Sequence, residues 1–405
     1  MMRASLVVLG TTLLAATLAG QRPLPESPPA AIGLDPDALA EATALLEQFV
    51  VDGRIAGGVA AIARRGHVGY LKAVGVQDRT SKAPMTERSL FRIYSMTKAV
   101  TAVAVMMLHD EGRFRLDDPV SKYLPEFAGV KVVDTPGATP RPPARPVTVE
   151  DLLLHTSGLS HRTSDLYRAL GVRSRSDTLP EFVGKITRAP LMEDPHTRFR
   201  YSEATTVLGR LVEVWSGEAF DRFLSRRVFG PLGMTDTGFW VEGERRGRLA
   251  TAYGPAPDGG LAPVDLEAVP FTERPALLEG AVGLVSSVPD FLRFSQMLLD
   301  KGTFNGRRLL KADTAQRMTV NGLPADVLKA RGGRMGWGLA NVNVVMDAGG
   351  STASLGEYGW DGTAGTIFWN DPAKETVVVL MTQSSPANPD GLRQKFKAIA
   401  DRAIR

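Results

Sequence analysis

The sequence has no cysteine among its 405 residues. Thiol nucleophiles, disulfides and thiolate metal sites are therefore excluded. The five histidines include no H-E-x-x-H or comparable ligand spacing. The chain also lacks a G-x-S-x-G elbow and any glycine-rich loop with P-loop or dinucleotide spacing. From these absences we expect neither a bound metal nor a cofactor.

A strong charge bias is also missing. The 48 basic and 44 acidic residues leave a net charge of +4, which gives no support to nucleic-acid binding. The densest basic cluster (Arg245, Arg246 and Arg248) is short and typical of a solvated loop. A hydrophobic fraction of 43% and a charged fraction of 23% are ordinary for a soluble enzyme.

Long apolar runs are absent after the N-terminus. Residues 4–18 are apolar, follow the single charge of Arg3 and precede small residues. This layout is typical of a secretory signal peptide, and the run is shorter than the roughly 20 residues that span a bilayer. We predict a signal peptide at 1–20, a linker at 21–34, and a periplasmic or secreted bacterial protein without a stable membrane span. An uncleaved membrane anchor is the alternative.

Strand-like and helical patterns divide the chain into three parts. The strand-like segments are 58–63, 68–74, 282–286, 337–345, 365–369 and 375–381. The helical segments are 35–50, 95–109, 149–154, 204–215 and 392–404. These patterns predict a mostly antiparallel sheet domain from 35–94 and 275–405, flanked by terminal helices. Residues 95–274 are predicted to form a mostly helical inserted domain, with the active site in the cleft between the two.

Ser95 and Lys98 form the S-x-x-K pattern that occurs once in this chain. A spacing of three residues places both side chains on one face of a helix. The free N–H groups at a helix start stabilise an oxyanion. A serine needs a base to take its proton, and a desolvated Lys98 could serve or assist that base.

Two later segments carry further candidates. Tyr201 lies on a loop before a helix, from which its hydroxyl could reach Ser95 and Lys98 and act as a base. Read alone, a tyrosine in such a position is more often a packed aromatic residue whose hydroxyl is hydrogen-bonded. The glycine-rich segment 356–363 is interpreted as an edge strand whose N–H groups complete an oxyanion hole with that of Ser95. A hairpin turn is the alternative.

The order Ser-x-x-Lys, Tyr-Ser-x, Trp-x-Gly resembles the serine β-lactamase and penicillin-binding-protein superfamily. The chain looks most like the class C β-lactamase branch and its esterase relatives, the family VIII carboxylesterases. Further matching segments are 91–94, 147–159, 231–234 and 280–287. The resemblance extends from about residue 35 to the C-terminus. It implies a β-lactamase-like fold: an α/β sheet domain with a mostly helical insert.

The resemblance also implies roles for individual residues. Ser95 would attack a carbonyl and form an acyl-enzyme, and Lys98 and Tyr201 would share the proton transfers. Tyr201 would then activate water for deacylation. The backbone N–H groups of Ser95 and Thr363 would form the oxyanion hole. This chain has no S-D-N motif, which favours the branch that uses a tyrosine.

Two departures from the family pattern bear on the substrate. Trp360 stands where lactam-cleaving members usually carry Lys or His, and an indole cannot pair with a substrate carboxylate. Glu203 stands where the family commonly has Asn; an ionised Glu cannot donate to an amide carbonyl, and it can pair with Lys98 instead. We predict that Trp360, Gly362 and Glu203 contact the substrate.

The predicted function is that of a carboxylesterase. Its substrates would be small-molecule esters with short acyl chains, which it would cleave through an acyl-serine intermediate. A class C-type β-lactamase or D-alanyl-D-alanine carboxypeptidase is the first alternative. A non-catalytic scaffold that binds peptidoglycan or a partner is the second. The sequence makes no prediction of the oligomeric state.

Overall fold

The structure is a computed structural model that describes residues 24–133, 135, 137–257, 259–266 and 271–405. The predicted signal peptide lies outside the described residues. The strands are β1 (Gly57–Arg64), β2 (His67–Asp78), β3 (Ala83–Pro84), β4 (Phe91–Arg92), β5 (Tyr253–Pro255), β6 (Leu261–Pro263), β7 (Val285–Ser286), β8 (Thr303–Phe304), β9 (Arg307–Arg308), β10 (Met335–Gly338), β11 (Val342–Val345), β12 (Tyr358–Asp361), β13 (Ile367–Asp371) and β14 (Thr376–Thr382).

The α-helices are α1 (Pro36–Val51), α2 (Thr97–Asp110), α3 (Val149–Leu153), α4 (Asp165–Ala169), α5 (Leu179–Ile186), α6 (Ala204–Ser216), α7 (Phe220–Leu224), α8 (Gly230–Leu232), α9 (Val288–Leu299), α10 (Ala312–Met318), α11 (Ala325–Ala330) and α12 (Leu392–Ala403). Short 3₁₀ turns span Pro29–Ile32, Tyr94–Met96, Val120–Lys122, Pro125–Gly129, Gly243–Arg248 and Pro389–Gly391, and a π turn spans Ser225–Phe229.

Eight strands from the two ends of the chain form one sheet. Their order is β10-β11-β12-β13-β14-β1-β2-β3, and each pairing is antiparallel. Helices α1 and α12 pack together on one face, where Phe49 and Phe396 meet Ile62 and Val378 of the central strands. Helix α9 packs on the other face. Because both faces are covered, β1 and β14 are buried along their whole length. The predicted antiparallel sheet flanked by terminal helices is confirmed.

The prediction for the strands near the C-terminus was wrong in two places. Residues 337–345 form a hairpin, β10 and β11, around Asn341, whose φ of +57° is a left-handed conformation that Asn tolerates. The glycine-rich segment is not an edge strand, since β12 lies between β11 and β13. Its last pairing with β11 is Asn343 with Gly359. Trp360 and Asp361 extend beyond that pairing, which leaves this end of β12 open on one side.

The segment before α1 packs on the sheet, where a linker was expected. The Ser27 N–H donates to the Val68 carbonyl at 3.0 Å, and the Val68 N–H donates to the Pro25 carbonyl at 2.8 Å. Leu34 is buried against the terminal helices. In the described part of the chain, no helix combines the length and apolar character needed to cross a membrane. The domain boundaries at 94/95 and 274/275 stay a prediction.

Candidate active site

Ser95 lies in the turn Tyr94–Met96 that leads into α2. This turn is held from one side because the Ile93 N–H donates to the Leu284 carbonyl at 3.0 Å, next to the β4–β7 pairing. Tyr94 has a φ of +41°, which is strained for an aromatic residue, and its buried ring packs edge-on against Phe271. The surrounding packing therefore fixes the backbone that presents Ser95 at the start of the helix.

Lys98 follows one helical turn after Ser95 and is completely buried. Its Nζ donates to the Ala281 carbonyl at 3.0 Å. The same Nζ lies 4.6 Å from the centroid of the Tyr201 ring. The structure thus brings Lys98 of α2 into contact with Tyr201 of the loop before α6, beside the turn that carries Ser95.

Tyr201 is enclosed by other rings. The Trp360 indole N–H donates to the Tyr201 hydroxyl oxygen at 3.0 Å. Trp337 stands edge-on to Trp360 at 4.7 Å between centroids, and the His161 ring lies nearly parallel to Tyr201 at 5.8 Å. Sequence reasoning missed Trp337 and His161, because no spacing in the chain links either residue to Tyr201.

His155 is buried beside Tyr201, with ring centroids 4.9 Å apart. Its Nδ1 lies 3.0 Å from the Ser202 hydroxyl. Burial first, and then the positive charge of Lys98, hold the pKa of His155 well below its ordinary value, so the ring is neutral at pH 7. Within the described residues, no group of three or more His, Asp and Glu side chains could hold a metal ion. Its contacts with Ser202 and Tyr201 place His155 behind the loop that carries Tyr201.

The open end of β12 lies directly against the turn of Ser95. A Cβ on Gly362 would sit 2.4 Å from the Ile93 carbonyl oxygen, so this approach requires glycine. The Gly362 N–H donates to the Thr366 carbonyl at 2.8 Å and closes a tight turn. Thr363 is exposed at the tip of that turn. The structure therefore brings the predicted oxyanion-hole segments next to each other.

The position and the ion-pair partner of Glu203 differ from the predicted ones. Its side chain has no exposed surface, so it does not line the cleft. Arg162, rather than Lys98, forms its ion pair among the described residues, at 3.7 Å, and Thr206 donates to its other oxygen at 3.1 Å. Burial alone would raise the pKa of Glu203, but the positive charges of Arg162 and Lys98 outweigh it and hold the pKa below its ordinary value.

The chain belongs to the Beta-lactamase family, since the family model of that description matches residues 42–401. It is a serine hydrolase of this family, as the resemblance predicted. Protein Rv1367c of Mycobacterium tuberculosis is 33% identical over 82% of this chain and 87% of its own. Esterase EstB of Burkholderia gladioli is 33% identical over 88% of this chain and 93% of its own. The solved structure of EstCE1, a hydrolase with promiscuous acyltransferase activity, is similar with a TM-score of 0.79 at 28% identity, covering 91% of this chain and 98% of that one.

Proposed function

We propose that the protein is a serine carboxylesterase that cleaves short-chain acyl esters through an acyl-enzyme on Ser95. The observation that carries this proposal is the contact between Trp360 and Tyr201. Lactam-cleaving members usually have a cation at the position of Trp360, which a substrate carboxylate can pair with. Here a neutral indole fills that position and its N–H is already used. The names of the relatives EstB and EstCE1, an esterase and a hydrolase, agree with this proposal.

The proposed reaction has two halves. In the first, Ser95 Oγ attacks the ester carbonyl carbon while its proton passes to a deprotonated Tyr201. The N–H groups of Ser95 and Thr363 stabilise the oxyanion. The C–O bond then breaks, and the leaving alkoxide takes the proton from Tyr201. In the second, water gives a proton to Tyr201 and attacks the acyl carbonyl; Ser95 regains that proton as the carboxylic acid leaves.

In this scheme Lys98 has an electrostatic role, whereas Tyr201 transfers the protons. Its buried ammonium lies against the Tyr201 ring and bonds to the Ala281 carbonyl. In that position it balances the negative charge that Tyr201 carries between proton transfers. The partly exposed ring of Trp360 lies beside Tyr201 as an apolar wall, and the buried ring of Trp337 supports it from behind. A wall of this kind favours neutral, apolar acyl or alcohol groups over charged ones.

Parallel assays with p-nitrophenyl butyrate and the chromogenic lactam nitrocefin test this function. We expect wild-type turnover of the ester to exceed that of nitrocefin, and Ser95→Ala to abolish ester turnover. Faster turnover of nitrocefin, or D-alanine release from a D-alanyl-D-alanine peptide, would favour the lactamase or carboxypeptidase alternatives. Binding of peptidoglycan without turnover of any of these substrates would favour the non-catalytic scaffold.

We also propose that residues 1–20 direct the protein to the periplasm or the medium. The basic start, the apolar centre and the small residues that follow support this proposal. Mass spectrometry of the protein recovered outside the cytoplasm should give an N-terminus near residue 21. A mature chain that still begins at Met1 would contradict it.

A further inference from the structure

Arg393 of α12 reaches from the terminal helix to the turn at the end of β12. Its Nη2 donates to the carbonyl of Gly362 at 2.7 Å and to that of Thr366 at 3.1 Å. Its Nη1 binds the Asp361 carboxylate at 2.6 Å. The Arg393 side chain is 11% exposed. One buried guanidinium thus holds both ends of the turn that has Thr363 at its tip.

The contact between Arg393 and the Gly362 carbonyl also constrains the direction of the Thr363 N–H. The Gly362 carbonyl and the Thr363 N–H belong to one planar trans peptide, so the oxygen and the hydrogen point in opposite directions. When Arg393 holds the carbonyl on the helix side, the N–H must face the other way. Gly362 itself packs against the Ile93 carbonyl, two residues before Ser95, so this turn lies next to the nucleophile.

We propose that Arg393 is a positioning residue for the oxyanion hole, which fixes the direction of the Thr363 N–H without touching the substrate. The proposal rests on the proposed function, in which this N–H receives the developing negative charge. A guanidinium suits the task because its planar fork donates to three acceptors at fixed angles. An ammonium at the same position is a single point charge without the planar fork, so it would hold the Gly362 carbonyl less firmly beside the backbone bond from the Gly365 N–H.

A comparison of oxygen esters with thiono esters tests this inference, because sulfur accepts hydrogen bonds from N–H groups more weakly than oxygen does. An intact oxyanion hole therefore favours the oxygen ester. Loss of one oxyanion donor costs about 10²–10³-fold in kcat, so a misdirected donor in Arg393→Lys should lower kcat by roughly 10- to 100-fold. We expect KM to change little, and the ratio of oxygen-ester to thiono-ester turnover to fall by a similar factor.

Arg64→Lys is the matched control. Arg64 is also a buried guanidinium that donates to three backbone carbonyls, those of Ile32, Gly33 and Lys374. These lie at the N-terminal segment and the turn before β14, outside the proposed site. We expect Arg64→Lys to lower stability while leaving the oxygen-to-thiono ratio at the wild-type value.

The outcomes separate the two proposals. If Arg393→Lys lowers both ester rates equally, or lowers neither, the positioning role is overturned. If Arg393→Lys does not fold, Arg393→Ala assayed with added methylguanidinium takes its place, and the ratio should recover as the cation rebinds. A ratio that does not recover in a folded, guanidinium-bound Arg393→Ala protein also overturns the inference. Ester turnover by Ser95→Ala at the wild-type rate would instead refute the proposed function itself.

Discussion

Replacing Trp360 with Phe removes one hydrogen bond and keeps most of the ring. The bond lost is the one from the indole N–H to the Tyr201 hydroxyl, 3.0 Å long. A hydrogen bond of this kind contributes about 0.5–1.5 kcal/mol, which corresponds to a roughly 2- to 13-fold change in a rate. Because the bond holds the proposed base rather than the substrate, we expect the loss mainly in kcat. Steady-state kinetics with p-nitrophenyl butyrate measure it.

Trp369→Phe is the control for this substitution. Trp369 belongs to β13 but packs on the opposite face of the sheet, with its ring near Phe396 of α12. We expect Trp369→Phe to affect stability but not kcat. If Trp360→Phe keeps the wild-type kcat, or if Trp369→Phe loses as much, the proposed link between Trp360 and Tyr201 is refuted.

Two further substitutions test the site. Tyr201→Phe removes the hydroxyl that transfers the proton, and stopped-flow ester hydrolysis should show kcat lower by about 10²–10⁴-fold; unchanged acylation and deacylation rates would assign the base elsewhere. Glu203→Gln takes a charge from the buried pair with Arg162 and should lower the free energy of unfolding in urea by about 3–5 kcal/mol at pH 7. Because the folded-state pKa of Glu203 is depressed, its charge stabilises the wild type above about pH 4.3 and stops doing so as pH falls through the folded-state pKa. The difference between wild type and Glu203→Gln should therefore shrink on acidification, and a constant difference from pH 7 to pH 3 would contradict this reasoning.

The long elements could be predicted because their local signals agree with their packing. Thr148 caps α3 through a capping box with Asp151, and Gly217 ends α6 with a φ of +73°. Such caps act within one turn of chain, so the sequence displays them. The place of β12 inside the sheet could not be predicted, because it depends on β11 folding back at Asn341. A glycine-rich strand looks the same in sequence whether its neighbour is present or absent.

The site was predictable to the extent that its members lie in recognisable motifs. Ser95, Lys98 and Tyr201 were singled out on that ground, and the structure brings Lys98 and Tyr201 into contact. Arg162 and Arg393 were missed, since each acts through a contact made only in the folded chain. The partner of Glu203 was also mispredicted for this reason. Its charge suggested Lys98, but in the folded chain Arg162 forms the ion pair with its carboxylate.

The central claim is that Ser95 is the nucleophile, and covalent labelling tests it most directly. A fluorophosphonate reacts with activated serines, so the treated protein should gain one adduct, and peptide mapping should locate it on Ser95. Ester turnover should fall in proportion to the fraction of the protein that is labelled, and Ser95→Ala should take up no label. An adduct on another residue with full loss of activity, or full ester turnover by Ser95→Ala, would contradict the account.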